Sequence, residues 1–308
     1  MYAIIDLGSN TARMNIYKVK NHVIKLKSSH KETIGLAAYL EGDQLSDEGL
    51  DVAIKTVKKF LKEIKNSRIK KTYLLATATI RKASNKDVFM RAFSDIKNVD
   101  IHLLSGAEEA TYDFHAVFLD APAPTGIVVD IGGGSTEIVT YENNKITRAD
   151  AIPIGSLSSY MDHVKKLIPG KKARKKIKKK VLKYLEEAGF NPMQNPPILH
   201  GVGGTMRAAR KLIDNRADPY LAEPLPMDEV KPLIKMIASK EKSAYLKLIR
   251  TVPERIHTIG TGLVILDAIH DYFRPTQMRI FTQGVREGFI VKNLEKDYPE
   301  LKPLELRL

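Results

Sequence analysis

The chain has 308 residues, 43% of them hydrophobic, a formal net charge of +14 and no cysteine. That length supports two domains of ordinary size, each with its own core. The missing cysteine excludes disulfides, a thiolate nucleophile and Cys-ligated zinc, and no apolar run reaches the length of a membrane span.

Apolar residues at Ala3-Ile4-Ile5, at Met14, Ile16, Tyr17 and Val19, and at Val23, Ile24 and Leu26 predict a three-stranded β-meander within residues 1–27. Strand-like sequence from Tyr2 leaves no secretory leader, so a soluble cytoplasmic protein with no membrane partner is expected. Ser46 to Lys65 reads as a helix with Ser46 as N-cap and Leu50, Ala53, Val57, Phe60 and Ile64 on one face. A short strand, Tyr73 to Ala76, runs into Thr77-Ala78-Thr79-Ile80-Arg81, which puts Arg81 at a strand end. Ser84-Asn85 open another helix, reaching about Phe93. The strand Ile101 to Leu104 leads into Ser105-Gly106-Ala107-Glu108-Glu109-Ala110 and a helix holding Tyr112, Phe114 and Phe118. Asp120 to Thr125, with two prolines, reads as a linker.

The second half repeats this outline. A strand from Gly126 to Asp130 meets a glycine turn, Glu137 to Tyr141 returns, and Asn143-Asn144 signal a hairpin. From His163 to Leu185 there are 11 Lys/Arg and no acid. Within that stretch Ala173, Ile177, Val181 and Leu185 recur every four residues, one apolar helix face with a basic exterior. Ile198 to Val202 is a further strand, ending in Gly203-Gly204-Thr205, with a helix expected from Met206. Helices follow at 231–239 and 245–248. Gly260-Thr261-Gly262 precede the apolar helix segment Leu263 to Leu266. The strand Met278 to Phe281 ends in the turn Thr282 to Gly288, before a final helix with Phe289, Ile290, Val291 and Leu294. Strands alternating with helices imply α/β domains with helix-covered sheets.

The two most informative segments are Asp6-Leu7-Gly8-Ser9-Asn10-Thr11 and Asp130-Ile131-Gly132-Gly133-Gly134-Ser135-Thr136-Glu137. Each is an apolar strand ending in Asp and entering a turn of glycine and hydroxyl residues. Glycine lets a backbone approach a crowded phosphoryl group and point its N–H donors inward, and Ser and Thr add hydroxyls. An Asp at the strand end suits Mg²⁺, which takes hard oxygen ligands. Neither segment is a P-loop or a dinucleotide-binding fingerprint. Two of them suggest related half-molecules facing a shared cleft.

Together with Ala76 to Arg81, Ser105 to Ala110, Gly201 to Thr205 and Gly284-Val285-Arg286-Glu287-Gly288, these segments resemble, in order along nearly the whole chain, the exopolyphosphatase and guanosine pentaphosphate phosphatase family. The resemblance implies two ribonuclease-H-like domains of the actin, Hsp70 and sugar-kinase type, here expected as 1–120 plus about 289–308, and 121–288. Longer members carry a further C-terminal helical domain, so the chain resembles the short two-domain form. It also implies removal of terminal phosphates from polyphosphate or guanosine pentaphosphate with Mg²⁺ (or Mn²⁺).

Residue by residue, the resemblance makes Glu109 the general base and Arg81 a phosphate ligand. By position alone Glu109 is an ordinary first-turn glutamate and Arg81 a solvated arginine. Asp130 and Glu137, with Asp6 as a third, are the expected metal or water-organising carboxylates, although Asp6 also suits the ordering of its own loop. Gly8, Ser9, Asn10 and Thr11, and Gly132, Gly133, Gly134, Ser135 and Thr136, are the expected phosphate loops. Gly203, Gly204 and Thr205 either line the phosphate site or form a strand-to-helix turn. Arg286 and Glu287 either fix closure of the cleft or form an internal ion pair. Lys171, Lys172, Arg174, Lys175, Lys176, Lys178, Lys179 and Lys180 either form a solvated face or capture a polyanion.

With no tryptophan and 7% aromatics, base-stacking platforms are not evident, and nucleic acid is not an expected partner. A homodimer is compatible with the sequence. Exopolyphosphatase is the favoured function, against guanosine pentaphosphate hydrolysis, a small-molecule kinase on the same fold, and a non-catalytic polyanion-binding regulator.

Overall fold

The structure is a computed structural model that describes residues 1–119, 123–193, 197–213, 224–239, 241–299 and 304–307. In chain order its elements begin with β1 (Tyr2–Leu7), β2 (Thr11–Lys20), β3 (Val23–Thr33), the small hairpin β4 (Leu40–Glu41) and β5 (Gln44–Leu45), and α1 (Asp47–Ile64). Next come β6 (Lys71–Ala76), α2 (Ala78–Lys82), α3 (Lys86–Ser94), β7 (Val99–Leu103) and α4 (Gly106–Phe118). The second half holds β8 (Gly126–Ile131), β9 (Thr136–Glu142), β10 (Lys145–Ile152), α5 (Ser156–His163), α6 (Lys171–Glu187), β11 (Ile198–Val202) and α7 (Gly203–Ile213). It continues through β12 (Leu225–Pro226), α8 (Val230–Ser239), α9 (Lys242–Thr251), α10 (Ile259–Phe273), β13 (Gln277–Ile280), α11 (Val285–Asp297) and β14 (Glu305–Arg307). The chain divides into two compact units, Met1–Tyr112 with Val285–Leu308, and Asp113–Gly284. Residues 120–122 of the expected linker, and with them the expected boundary, lie outside the described residues.

In the first unit the sheet order is β14-β3-β2-β1-β6-β7. β1 pairs antiparallel with β2 and parallel with β6, and β6 is parallel to β7. Alternation sends Ala3, Ile5 and Leu7 to one face, where they pack with Leu50, Ala53, Val57 and Phe60 of α1. Ser46 caps α1 as expected, its hydroxyl accepting from the Gly49 N–H at 3.2 Å. On the other face Phe289 of α11 meets Tyr73, His102 and Tyr112 edge-on at centroid distances of 5.3, 4.9 and 5.1 Å.

In the second unit the order β10-β9-β8-β11-β13-β12 repeats the pattern, with β8 antiparallel to β9 and parallel to β11. A three-stranded meander followed by two parallel strands, twice in one chain, is the ribonuclease-H-like arrangement. Ile127, Val129 and Ile131 pack into a core with Ile177, Val181 and Leu185 of α6 and with α10, whose 11 buried residues make it the central helix. Asn143 and Asn144 both have positive φ (50° and 62°), the turn expected from their sequence.

Four expectations shift. Arg81 sits in the one-turn helix α2 rather than at a strand end. α7 starts at Gly203, not Met206, and α11 starts at Val285, so Arg286, Glu287 and Gly288 are helical. Gly260 and Gly262 lie inside α10 rather than before it. A side chain at Gly262 would meet Thr205 Cγ2 at 2.4 Å, so close helix packing, not a turn, uses that glycine.

His200 of β11 is fully buried between Tyr141 and Phe281, and among the described residues neither ring nitrogen has a hydrogen-bond partner. Burial, aided by the nearby Arg279 charge, lowers its pKa to about 4. The unfolded chain therefore takes up this proton first, and stability falls as pH drops through the window from about 6.5 towards 4. Denaturant titrations should show a loss of about 1.5 kcal/mol between pH 6.5 and 5, and His200→Leu should flatten that slope.

Candidate active site

The two glycine turns are built alike. Gly8 N–H donates to Thr11 O and Gly132 N–H to Ser135 O, each at 3.0 Å. Their carbonyls are tied back onto the following segment. Ser9 O accepts from Ala37 N–H at 2.9 Å, and Asn10 O from Ile34 and Gly35 N–H at 3.0 Å. Gly132 O accepts from Ser156 N–H at 2.8 Å, and Gly133 O from Leu157 and Ser158 N–H at 2.9 Å. A trans peptide points its N–H opposite to its C=O. The next amides along, Asn10 and Thr11 in one unit and Gly133 and Gly134 in the other, are thus aimed away from the segment that holds the loop. This orients donors for an anion. It also means that the first amides of α5 serve the loop itself.

Register extends the equivalence and shows where it breaks. Asp6 lies opposite Arg13, whereas Asp130 lies opposite Glu137. In the first unit Arg286 Nη1 donates to Asp6 Oδ2 at 2.7 Å. Burial raises the Asp6 pKa, and the Arg286 charge works against that rise. Burial likewise disfavours the Arg286 cation, but Glu287 and Asp6 overcome it and raise its pKa. Glu287 in turn accepts from Tyr17 Oη and, at 3.1 Å, from Asn15 Nδ2. The internal ion pair is therefore the role that the structure gives Arg286 and Glu287, and Asp6 has an oxygen already committed to a cation.

In the second unit the acid opposite Asp130 is another acid. Glu137 Oε1 accepts from Ser135 Oγ at 2.5 Å. Gly203 has φ +77°, and an ideal Cβ there would lie 2.0 Å from Asp130 Oδ1, so glycine is required twice over. The Arg255 guanidinium fills the space that a side chain at Gly204 would take. Burial lowers its pKa, against the charges of Glu254 and Asp130. Two expected phosphate ligands are committed elsewhere: Thr205 Oγ1 donates to Ile131 O and Thr136 Oγ1 to Ile154 O, both at 2.7 Å.

Arg81 and Glu109 are hydrogen-bonded partners. Arg81 Nη1 donates to Glu109 Oε1 at 2.9 Å and to Leu104 O at 2.5 Å. Glu109 is buried, at 6% exposure. Glu108 has the helix-start role: its Oε2 accepts from Ser105 N–H and Oγ at 2.8 Å, a capping box that fixes the first turn of α4. Sequence reasoning passed over Arg13 and Arg255. Arg13 is half-buried, its pKa lowered by burial and by the neighbouring Arg286, and it makes no hydrogen bond among the described residues. Its position two residues past Thr11, on the same strand, was a usable signal. No local pattern marks Arg255.

Of the eight expected capture residues on α6, three are engaged. Lys178 pairs with Asp267 and, at 3.0 Å, with Asp271; Lys180 pairs with Asp162 at 3.6 Å; Arg174 Nη1 donates to Pro169 O at 3.1 Å. Asp267, His270 and Asp271 of α10 are grouped closely enough to hold a metal, but Lys178 already balances both aspartates. Among the described residues no helix is long and apolar enough to cross a membrane.

Two ribonuclease-H-like units, each with a glycine turn after its central strand, define a two-domain α/β protein of the actin-like type. The model of the Ppx/GppA phosphatase family matches residues 15–297. The chain belongs to the Ppx/GppA phosphatase family, and with it to the phosphoanhydride hydrolases. It is 25% identical over 300 residues to a Haemophilus influenzae protein named "Putative exopolyphosphatase", covering 96% of this chain and 92% of that one. Its fold is that of the Aquifex aeolicus Ppx/GppA family member, with a TM-score of 0.79, 22% identity and coverage of 96% and 98% of the two chains. An exopolyphosphatase from Cytophaga hutchinsonii matches at a TM-score of 0.79 with 21% identity, covering 96% and 97%.

Removing Arg286 strands a buried carboxylate. Arg286→Met should cost roughly 3–5 kcal/mol of stability, and adding Asp6→Asn should recover part of it. A double-mutant cycle by denaturant unfolding checks this, and strict additivity would mean that the pair is uncoupled.

Proposed function

We propose that the protein is an exopolyphosphatase that releases terminal orthophosphate from inorganic polyphosphate by attack of water, with Glu109 as general base. The observation that carries this reading is the buried Glu109–Arg81 pair at 2.9 Å. It is a buried carboxylate oriented by an arginine, in a chain whose units each carry a glycine turn with amides free of the loop's own ties. Asn10 and Gly133 N–H, with their neighbours, are assigned to the phosphoryl oxygens. Glu109 takes a proton from water as the water oxygen bonds to phosphorus. The bridging P–O bond breaks, and the electron pair leaves on the shortened chain. Arg81 keeps Nε and Nη2 unpartnered among the described residues, and these are assigned to the charge that develops on the leaving oxygen. Positioning and electrostatics account for most of the rate gain in phosphoryl transfer.

Asp130 and Glu137 are the residues assigned to Mg²⁺ (or Mn²⁺). The two carboxylates lie directly opposite on neighbouring strands, and both are hard oxygen ligands. A divalent ion there would neutralise charge on the substrate oxygens. Asp6 is left out of this assignment because Arg286 holds it.

Glu109→Gln should lower kcat about 10²–10⁴-fold while leaving phosphate binding intact. The check is phosphate release from long polyphosphate and from guanosine pentaphosphate in parallel. Release from the nucleotide alone would move the function to the nucleotide phosphohydrolase, and a full-rate variant would remove Glu109 as base. Asp130→Asn and Glu137→Gln should each weaken Mg²⁺ binding about tenfold or more, the usual range for a lost support at a metal site. Calorimetric titration checks this, and unchanged affinity would place the metal elsewhere.

A further inference from the structure

Of the basic residues on α6, Lys171, Lys172, Lys175, Lys176 and Lys179 are exposed and make no ion pair among the described residues. They lie on the part of the helix turned away from buried Ile177, Val181 and Leu185. At 1.5 Å per residue they run along about 12 Å of helix. The stripe breaks local rules. Gly170 caps the helix without a side-chain acceptor, and the first turn holds no acid. Its cations therefore sit at the positive end of the helix dipole. Lys171, Lys175 and Lys179, and separately Lys172 and Lys176, stack like charge at four-residue spacing, which is unfavourable. Cost without local compensation marks a segment kept for a function.

The chemistry of the stripe narrows its occupant. A single phosphate cannot span it. A membrane surface needs apolar residues beside the lysines, and here the apolar face is buried in the core. Proteins that hold single-stranded nucleic acid add stacking rings to their basic groove, and the one ring on α6, Tyr184, packs against that core. The stripe thus offers charge alone, which suits a flexible polyanion without bases. We propose that the α6 stripe is a second binding site for inorganic polyphosphate, taking the part of a long chain away from its reacting end. This rests on the exopolyphosphatase reading for its substrate class.

The test is the variant K171Q/K172Q/K175Q/K176Q/K179Q, set beside K25Q/K27Q/K58Q/K62Q/K65Q, which removes the same charge from exposed lysines of the other unit. Binding of long-chain polyphosphate, tripolyphosphate and polyuridylate is titrated against salt, with divalent cations chelated. The stripe variant should lose at least about tenfold in affinity for the long chain. Its log–log salt slope should flatten by about 3, taking the single-strand value of about 0.7 per contact. Tripolyphosphate affinity should not change, and the control variant should lose far less. Its thermal midpoint should stay level or rise, since like-charge crowding is relieved. Equal losses in both variants, or no loss, would overturn the site. A loss on polyuridylate as large as on polyphosphate would reassign it to nucleic acid. Phosphate release with Mg²⁺ is scored separately: none from polyphosphate would sink the exopolyphosphatase reading, and the binding titration would still decide the stripe.

Discussion

A carboxylate near the end of a strand buried on both faces is costly to ionise alone, and the first half of this protein meets that cost with a paired arginine. β1 and β8 are central strands of their sheets, and each carries an aspartate, Asp6 or Asp130, one residue before its end. Left unpaired in such a place, an ionised group costs several kcal/mol. The first unit answers from within. Arg286 arrives on the last helix to pair with Asp6, Arg13 stands opposite on β2, and Glu287 balances the second arginine. The return of the C-terminal helix to the first unit is therefore an electrostatic device as well as an apolar one. The second unit faces Asp130 with a second acid, Glu137, and a single buried arginine, Arg255. One position in the repeat differs in sign: Arg13 stands opposite Asp6, and Glu137 opposite Asp130.

The same economy appears in the anion turns. Their carbonyls are consumed by backbone donors of the following segment, Ile34 to Ala37 in one unit and Ser156 to Ser158 in the other. The donors are oriented by where the acceptors have gone, and little depends on the hydroxyl side chains. Thr136 and Thr205 use their hydroxyls to tie strands and loops together. Ser135 uses its own to hold Glu137. Around Glu109 the pattern recurs: Glu108 secures the helix start, and Arg81 is fixed by the Leu104 carbonyl before it meets Glu109. Both glutamates in the first turn of α4 are held by neighbours, Glu108 by Ser105 and Glu109 by Arg81.

Much of this was legible in the sequence, because the signals are local. Periodicity and capping placed α1, α6 and the meanders. Asn143-Asn144 marked a hairpin through its tolerance of positive φ, and Asp plus glycine marked both tight turns after β1 and β8. The repeat could be read because both turns share the same order of Asp, glycine and hydroxyl residues. Helix starts at Gly203 and Val285, and the glycines inside α10, escaped because glycine reads as a turn until the partner that needs its bare Cα is known.

What the sequence by itself determined was the list of parts: two α/β units of the Ppx/GppA phosphatase family, two glycine turns, the carboxylates and arginines, and a basic helix. Only the tertiary structure decided which charges are already spent on one another. Asp6 and Arg286 are 280 residues apart, Lys178 meets its aspartates on a different helix, and Arg255 reaches Gly204 from a separate segment. Pairing energy depends on distances of a few ångströms and on burial, and neither is a property of neighbours along the chain.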